Sequence, residues 1–185
     1  MKTESNVRYI TRITLTLLLI AAVVAAALAL VNSITAPIIE KVNAEKTQKA
    51  IELVLPGGYD TEITDFSDET GLVSKIYKGT NGYAVEVTPV GFDNTITMMV
   101  GVDCEGKVLG ISIVSHTESA GLGAVAAASN SAGEAFRNQF VGLSGSVSVG
   151  DNIDAITNAT ITSRAVCDGV NAALACVVTL EGGAA

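Results

Sequence analysis

The apolar and polar positions of this chain fall into three regimes. From Ile13 to Ile39 no residue is charged, and Leu15 to Val31 is almost purely Leu, Ile, Val and Ala. A helix crossing a hydrocarbon core about 30 Å thick needs roughly 20 such residues. In lipid the backbone must satisfy its own hydrogen bonds, so a membrane helix over 13–36 is the expected form. Thr14 and Thr16 can bond back to preceding carbonyls without spoiling it. The competing reading is a cleavable signal peptide, for which Ala25 to Ala29 would supply small residues, but signal cores of about 7–15 residues are shorter than this run.

The second regime begins at Pro37, which is expected to end or kink the helix. Ile38 to Leu55 reads as a charge-bearing helix with Val42, Ile51, Val54 and Leu55 on its apolar side, stopped by Pro56-Gly57-Gly58. It would stand a domain off the membrane or pack on a neighbouring subunit. Segments 37–58 and 59–185 are thus read as a juxtamembrane helix and a folded domain. The acids Asp60, Glu62, Asp65, Asp68 and Glu69 between them mark a solvated loop or edge.

The third regime alternates. Leu72–Lys78, Tyr83–Val90, Thr95–Asp103 and Val108–Ser115 are rich in β-branched residues and separated by short turns, which predicts a meander. Glu105-Gly106 inside Asp103–Lys107 is a hairpin signal. Glu134–Phe140 predicts a short helix with Phe136 and Phe140 on one face, and Val147–Val149 a brief strand. Thr162–Leu180 predicts a last helix with Ala165, Val166, Val170, Ala173 and Val177 near one face. Strands with helices around them make an α+β domain.

Composition narrows the function. The chain has 185 residues, 49% of them hydrophobic and 16% charged, with a net charge of −8. Few basic residues argue against phosphate-backbone binding, and 4% aromatics with no Trp supply few stacking platforms, so no nucleic-acid partner is expected. Lys2, Arg8 and Arg12 precede the apolar run against Glu4 alone. The positive-inside rule then puts the N-terminus in the cytoplasm and the bulk outside, as a single-pass protein. From Ile38 onward 8 basic residues face 18 acidic ones.

Cys104, Cys167 and Cys176 form no CxxC, and buried free thiols are expected. His116 is the only histidine, so no metal set and no Ser-His-Asp triad emerges, and no catalytic residue is assigned. Two Gly/Thr-rich segments carry the chemistry instead. His116-Thr117-Glu118-Ser119-Ala120-Gly121-Leu122-Gly123 follows a strand; its glycines let backbone approach a flat ligand, or it is a plain hydrophilic turn before a helix. Asp154-Ala155-Ile156-Thr157-Asn158-Ala159-Thr160-Ile161-Thr162-Ser163 opens the last helix. Its hydroxyls and free N–H groups suit a phosphate; a capped helix start and an N-glycosylation sequon at Asn158 are the other readings.

These two segments resemble known motifs. Asp154-x-x-Thr157-Asn158-Ala159-Thr160 is similar to the flavinylation motif D-x-x-[S/T]-G-A-T of bacterial FMN-binding domains, and His116–Gly123 to their H-x-E-T-P-G-L-G segment. With one N-terminal membrane helix, the whole chain resembles the G subunits of Rnf electron-transport complexes. The C subunits of sodium-pumping NADH:quinone oxidoreductases share the motifs and are usually longer. A membrane-anchored FMN-domain module or assembly scaffold outside both complexes is the further alternative.

The resemblance implies FMN esterified to Thr160 by a flavin transferase that uses FAD. It implies that His116, Glu118, Ser119, Gly121, Leu122 and Gly123 line the flavin, with Glu118, Ser119 and Leu122 on the ring. Asp154, Thr157, Asn158, Ala159, Ile161, Thr162 and Ser163 would surround the phosphate and ribityl end. It further implies an electron carrier in the bacterial cell membrane, among partner subunits that couple ferredoxin/NAD electron transfer to Na⁺ or H⁺ movement. Asn158 stands for the usual Gly, Ala120 for Pro and Ser119 for Thr. Asn tolerates left-handed backbone better than most residues, so the turn is expected to survive.

Overall fold

The computed structural model describes residues 2–182, which form two compact units divided between Glu45 and Lys46. Helix α1 covers Lys2–Val54 and passes through Pro37 without ending there. The proline removes one backbone donor, while Ser33 Oγ donates to the Leu30 carbonyl (2.8 Å) and Thr35 Oγ1 to that of Val31 (2.9 Å) in the turn before it. Thr14 and Thr16 bond back to Ile10 and Arg12, as their spacing predicts. From Tyr9 to Ile34 every large apolar side chain of the helix is exposed, and Arg8–Val54 is long and apolar enough to cross a membrane.

In the second unit, β1 (Thr61–Ile63), β2 (Val73–Gly79), β3 (Gly82–Val87), β4 (Thr97–Val102) and β5 (Val108–Ser115) form one antiparallel sheet in sequence order. The meander is as the alternation predicts. The acidic segment supplies both the edge strand β1, which holds Glu62, and the loop after it, which holds Asp65, Asp68 and Glu69. The β4–β5 turn closes on Asp103, whose carboxylate accepts the N–H groups of Glu105 (2.9 Å) and Lys107 (2.8 Å), with Gly106 at φ +77°.

Alternation gives the sheet two buried faces. Ile76, Tyr83, Val85, Val87, Met98, Val100 and Val102 point to a core shared with α2 (Ser131–Asn138) and α3 (Thr160–Leu180). Tyr77, Ala84 and Met99 point to the opposite face, against Ala50, Ile51, Val54 and Leu55 of α1 and its exit. The end of the charge-bearing helix therefore packs on its own domain's sheet, and Val42 alone of its predicted apolar side is exposed. Burying each such aliphatic chain contributes roughly 1.5–3 kcal/mol. Gly101 makes the fit possible, because a Cβ there would fall on the Val54 carbonyl.

Helix α3 buries Ala165, Val166, Val170, Ala173 and Val177, so its apolar length serves the core. It approaches the sheet through Gly169, where a Cβ would stand 3.0 Å from Pro89 and 3.2 Å from Met98 Sδ. Phe136 and Phe140 meet edge to face, centroids 5.4 Å apart, at the end of α2. Val147–Val149 is not a strand. Asn171 takes the place of a partner strand there, its Oδ1 accepting the Val147 N–H and its Nδ2 donating to the Val147 carbonyl, both at 2.8 Å. Cys167 and Cys176 are buried free thiols, but Cys104 is exposed on the β4–β5 turn.

Candidate functional site

Three chain segments converge on one cleft of about 280 Å³, lined by Phe92, Glu118, Ser119, Leu122, Gly123 and residues 158–162. That volume lies near the lower end of ligand clefts, roughly 300–1,000 Å³. The first segment is the tip of the β3–β4 hairpin, extended past the strands by Ile96 N–H to Pro89 and Gly91 N–H to Asn94, both 2.8 Å. It presents Phe92, 67% exposed.

The second segment runs from β5 into a 3-10 turn at Gly123–Ala127. Gly121 takes φ +77°, and the Leu122 and Ala124 N–H groups turn back to the Ser119 carbonyl. Leu122 is left half exposed beside the cleft. Gly123 is small for an internal reason: a Cβ there would collide with Glu118 Oε2 and Thr162 Oγ1.

The third segment enters α3. Asn158 sits at φ +61°, the one non-glycine residue with positive φ among the described residues, in the place where the motif has glycine. Ala159 is the N-cap and offers no side-chain acceptor, so no Ser or Thr caps this helix. Its first-turn N–H groups are therefore available to an anion.

The hydroxyls of this segment divide sharply. Ser163 is fully buried; its Oγ accepts the Ile156 N–H (3.0 Å) and donates to the Ala159 carbonyl (2.9 Å), which braces the loop. Thr162, 1% exposed, donates to Glu118 Oε2 at 2.5 Å. Thr157 is exposed but lies outside the cleft lining. Thr160 alone is exposed, in the lining, and without a side-chain hydrogen bond to any described residue.

Glu118 is buried beneath these segments, 7% exposed. Its Oε1 accepts the N–H groups of Phe92 (2.9 Å) and Asp93 (3.2 Å), and its Oε2 accepts from Thr162. A Cβ on Gly91 would strike the same carboxylate. Of the residues singled out by sequence, His116, Gly121, Asp154, Thr157 and Ser163 lie outside the lining. Asp154 is exposed, and its backbone N–H donates to Gln139 Oε1 at 2.8 Å. His116 Nδ1 is buried without a partner among the described residues. Sequence reasoning missed Phe92 and Gly91; an aromatic side chain between Gly91 and Asp93 in a chain with four Phe was the available signal.

The cleft suits a flavin. One side is apolar, from Phe92, Leu122 and Ile161, and the other offers hydroxyl and N–H groups at an uncapped helix start. Comparison with known families agrees. Residues 91–175 match the FMN-binding domain, and residues 1–54 match the RnfG N-terminal region. The G subunit of the Na(+)-translocating ferredoxin:NAD(+) oxidoreductase complex of Acetobacterium woodii is 32% identical over 191 residues, covering 92% of each chain. The chain belongs to the family of Rnf complex G subunits. The G subunit of the ion-translocating oxidoreductase complex of Methanosarcina acetivorans is 31% identical across 96% of this chain and 100% of that one. The G subunit of the proton-translocating ferredoxin:NAD(+) oxidoreductase complex of Clostridium ljungdahlii is 40% identical over 111 residues, 56% of this chain and 57% of its own. In this member of the Rnf family the FMN-binding match contains all three segments of the cleft.

Proposed function

We propose that the chain is a membrane-anchored electron carrier holding FMN as a phosphoester on Thr160, within an Rnf-type complex that couples ferredoxin/NAD electron transfer to Na⁺ or H⁺ translocation. The sorting of hydroxyls carries the attachment: Thr162 and Ser163 are committed inside the protein, and Thr160 presents a free hydroxyl in the cleft. The names of the A. woodii and C. ljungdahlii relatives support the complex and its two candidate ions. The match of residues 1–54 to the RnfG N-terminal region favours this complex over a sodium-pumping NADH:quinone oxidoreductase.

Bound FMN supplies reversible one- and two-electron redox chemistry that the side chains lack. In maturation, the Thr160 oxygen forms a bond to the FMN-side phosphorus of FAD as the pyrophosphate bond breaks. AMP leaves, and the hydroxyl proton passes to a flavin transferase. Within the chain, the first-turn N–H groups of α3 would hold the phosphate, and Arg164 lies one turn further along the same exposed side. Phe92, Leu122 and Ile161 would hold the ring on its apolar side. Ser119, Asn158, Ala159 and Thr162 complete the lining.

Residues 13–36 span the membrane once in this reading, with the basic N-terminus cytoplasmic and the FMN domain outside. A covalent link keeps the flavin where no cytoplasmic pool can replace it. The span holds no ionisable residue, so ion movement belongs to partner subunits. Co-expression with a flavin transferase, followed by denaturing electrophoresis under ultraviolet light, tests the assignment. The wild-type band should fluoresce and Thr160→Ala should be dark; fluorescence persisting in the variant rules Thr160 out.

A further inference from the structure

Glu118 joins the two walls of the cleft from below. One oxygen holds the backbone of Phe92 and Asp93 on the hairpin tip, and the other holds Thr162 in the first turn of α3. Among the described residues no other hydrogen bond links residues 90–95 to α3. The carboxylate is wedged as well as bonded, since Gly91 and Gly123 leave no space for a Cβ on either side of it. Three hydrogen bonds to one side chain thus tie the hairpin tip to the helix.

We propose that Glu118 is a positioning residue that sets the width of the flavin cleft, acting on the ring through Phe92 and on the attachment point through Thr162. This rests on the reading that the cleft holds FMN. Both of its oxygens hold protein groups, so its effect on the ring runs through the two walls they fix. Its length matters more than its charge: one carboxylate must reach a hairpin tip and a helix at once. Aspartate, shorter by one methylene, can keep one wall only. Glutamine can keep both, with its amide oxygen on the Phe92 and Asp93 N–H groups and its NH₂ donating to a Thr162 hydroxyl turned to accept.

The test uses the full chain matured with FMN in detergent, comparing wild type with Glu118→Asp, Glu118→Gln and Thr162→Val. Flavin fluorescence anisotropy and collisional quenching by iodide report how tightly the ring is held, and thermal melting reports the fold. Glu118→Asp should lose anisotropy and gain iodide quenching, Thr162→Val should do so in part, and Glu118→Gln should stay near wild type. If Glu118→Asp yields no folded protein, the isosteric Thr162→Val carries the same comparison alone. Flavin held as in the wild type in both Glu118→Asp and Thr162→Val overturns the positioning role while leaving the FMN reading intact. A wild-type chain that binds no FMN overturns the reading beneath it.

Discussion

The hydroxyl of Ser163 accepts the backbone N–H of Ile156 at 3.0 Å, seven residues back across the turn that enters α3. Ser163 is fully buried and Ile156 partly so, and Ser163→Ala leaves that N–H without its partner. A buried unsatisfied donor costs about 1–3 kcal/mol. Thermal or urea melts should show a loss of that size, and covalent flavin should still appear on the folded fraction.

Asn158 at φ +61° makes a prediction of opposite sign for two substitutions. Asn158→Gly relieves the left-handed residue and should preserve the fold and flavin attachment. Asn158→Val puts a β-branched residue where it costs roughly 1–2 kcal/mol or more. Paired melting curves check this; equal stability for the two variants would contradict the assigned backbone.

The helix end on the sheet predicts where a soluble domain can start. Ala50, Ile51, Val54 and Leu55 are at most 3% exposed against Tyr77, Ala84 and Met99. A chain beginning at Lys46 should fold and melt cooperatively, whereas one beginning at Tyr59 should expose an apolar sheet face and aggregate. Gly101→Ala, which meets the Val54 carbonyl, should lower stability by about 1–3 kcal/mol in the longer form.

Two kinds of buried group set the pH response. Burial raises the Tyr77 hydroxyl from 10.0 to about 12 and the Cys167 thiol from 9.0 to about 11. Unfolded chain releases these protons first, so stability is held below about pH 9 and falls as the pH rises toward 12. Burial likewise raises the Glu86 carboxyl, with Glu62 adding to the shift and Lys75 opposing it. Its ionised form is therefore disfavoured in the fold. Glu86→Gln should stabilise the domain at neutral pH, with the gain shrinking as the pH drops through the carboxylate range.

Much of this was legible because the periods were clean. Alternation in residues 72–115 marked the strands, and the i, i+3/i+4 spacing of Ala165 through Val177 marked the buried face of α3. Alternation could not say which helix covers the second sheet face, since that depends on a contact between Val54 and Gly101, 47 positions apart. Pro37 read as a helix end or kink because proline removes a donor locally; the helix continues through it. Asn158 could be read as left-handed because it stands where the motif has glycine and Asn tolerates that backbone. Glu118 could be placed in the site, but its bonds to Phe92 and Thr162 are long-range and carry no local signal. Nor does hydroxyl chemistry separate Thr160 from Thr162 and Ser163; burial does.

The most direct test of the central claim is the intact mass of the native protein, followed by the mass of the peptide containing Thr160. The account predicts one added FMN less one water, carried on Thr160, and a bare chain for Thr160→Ala. A native chain at its bare polypeptide mass, or FMN mapped to another residue, would contradict it.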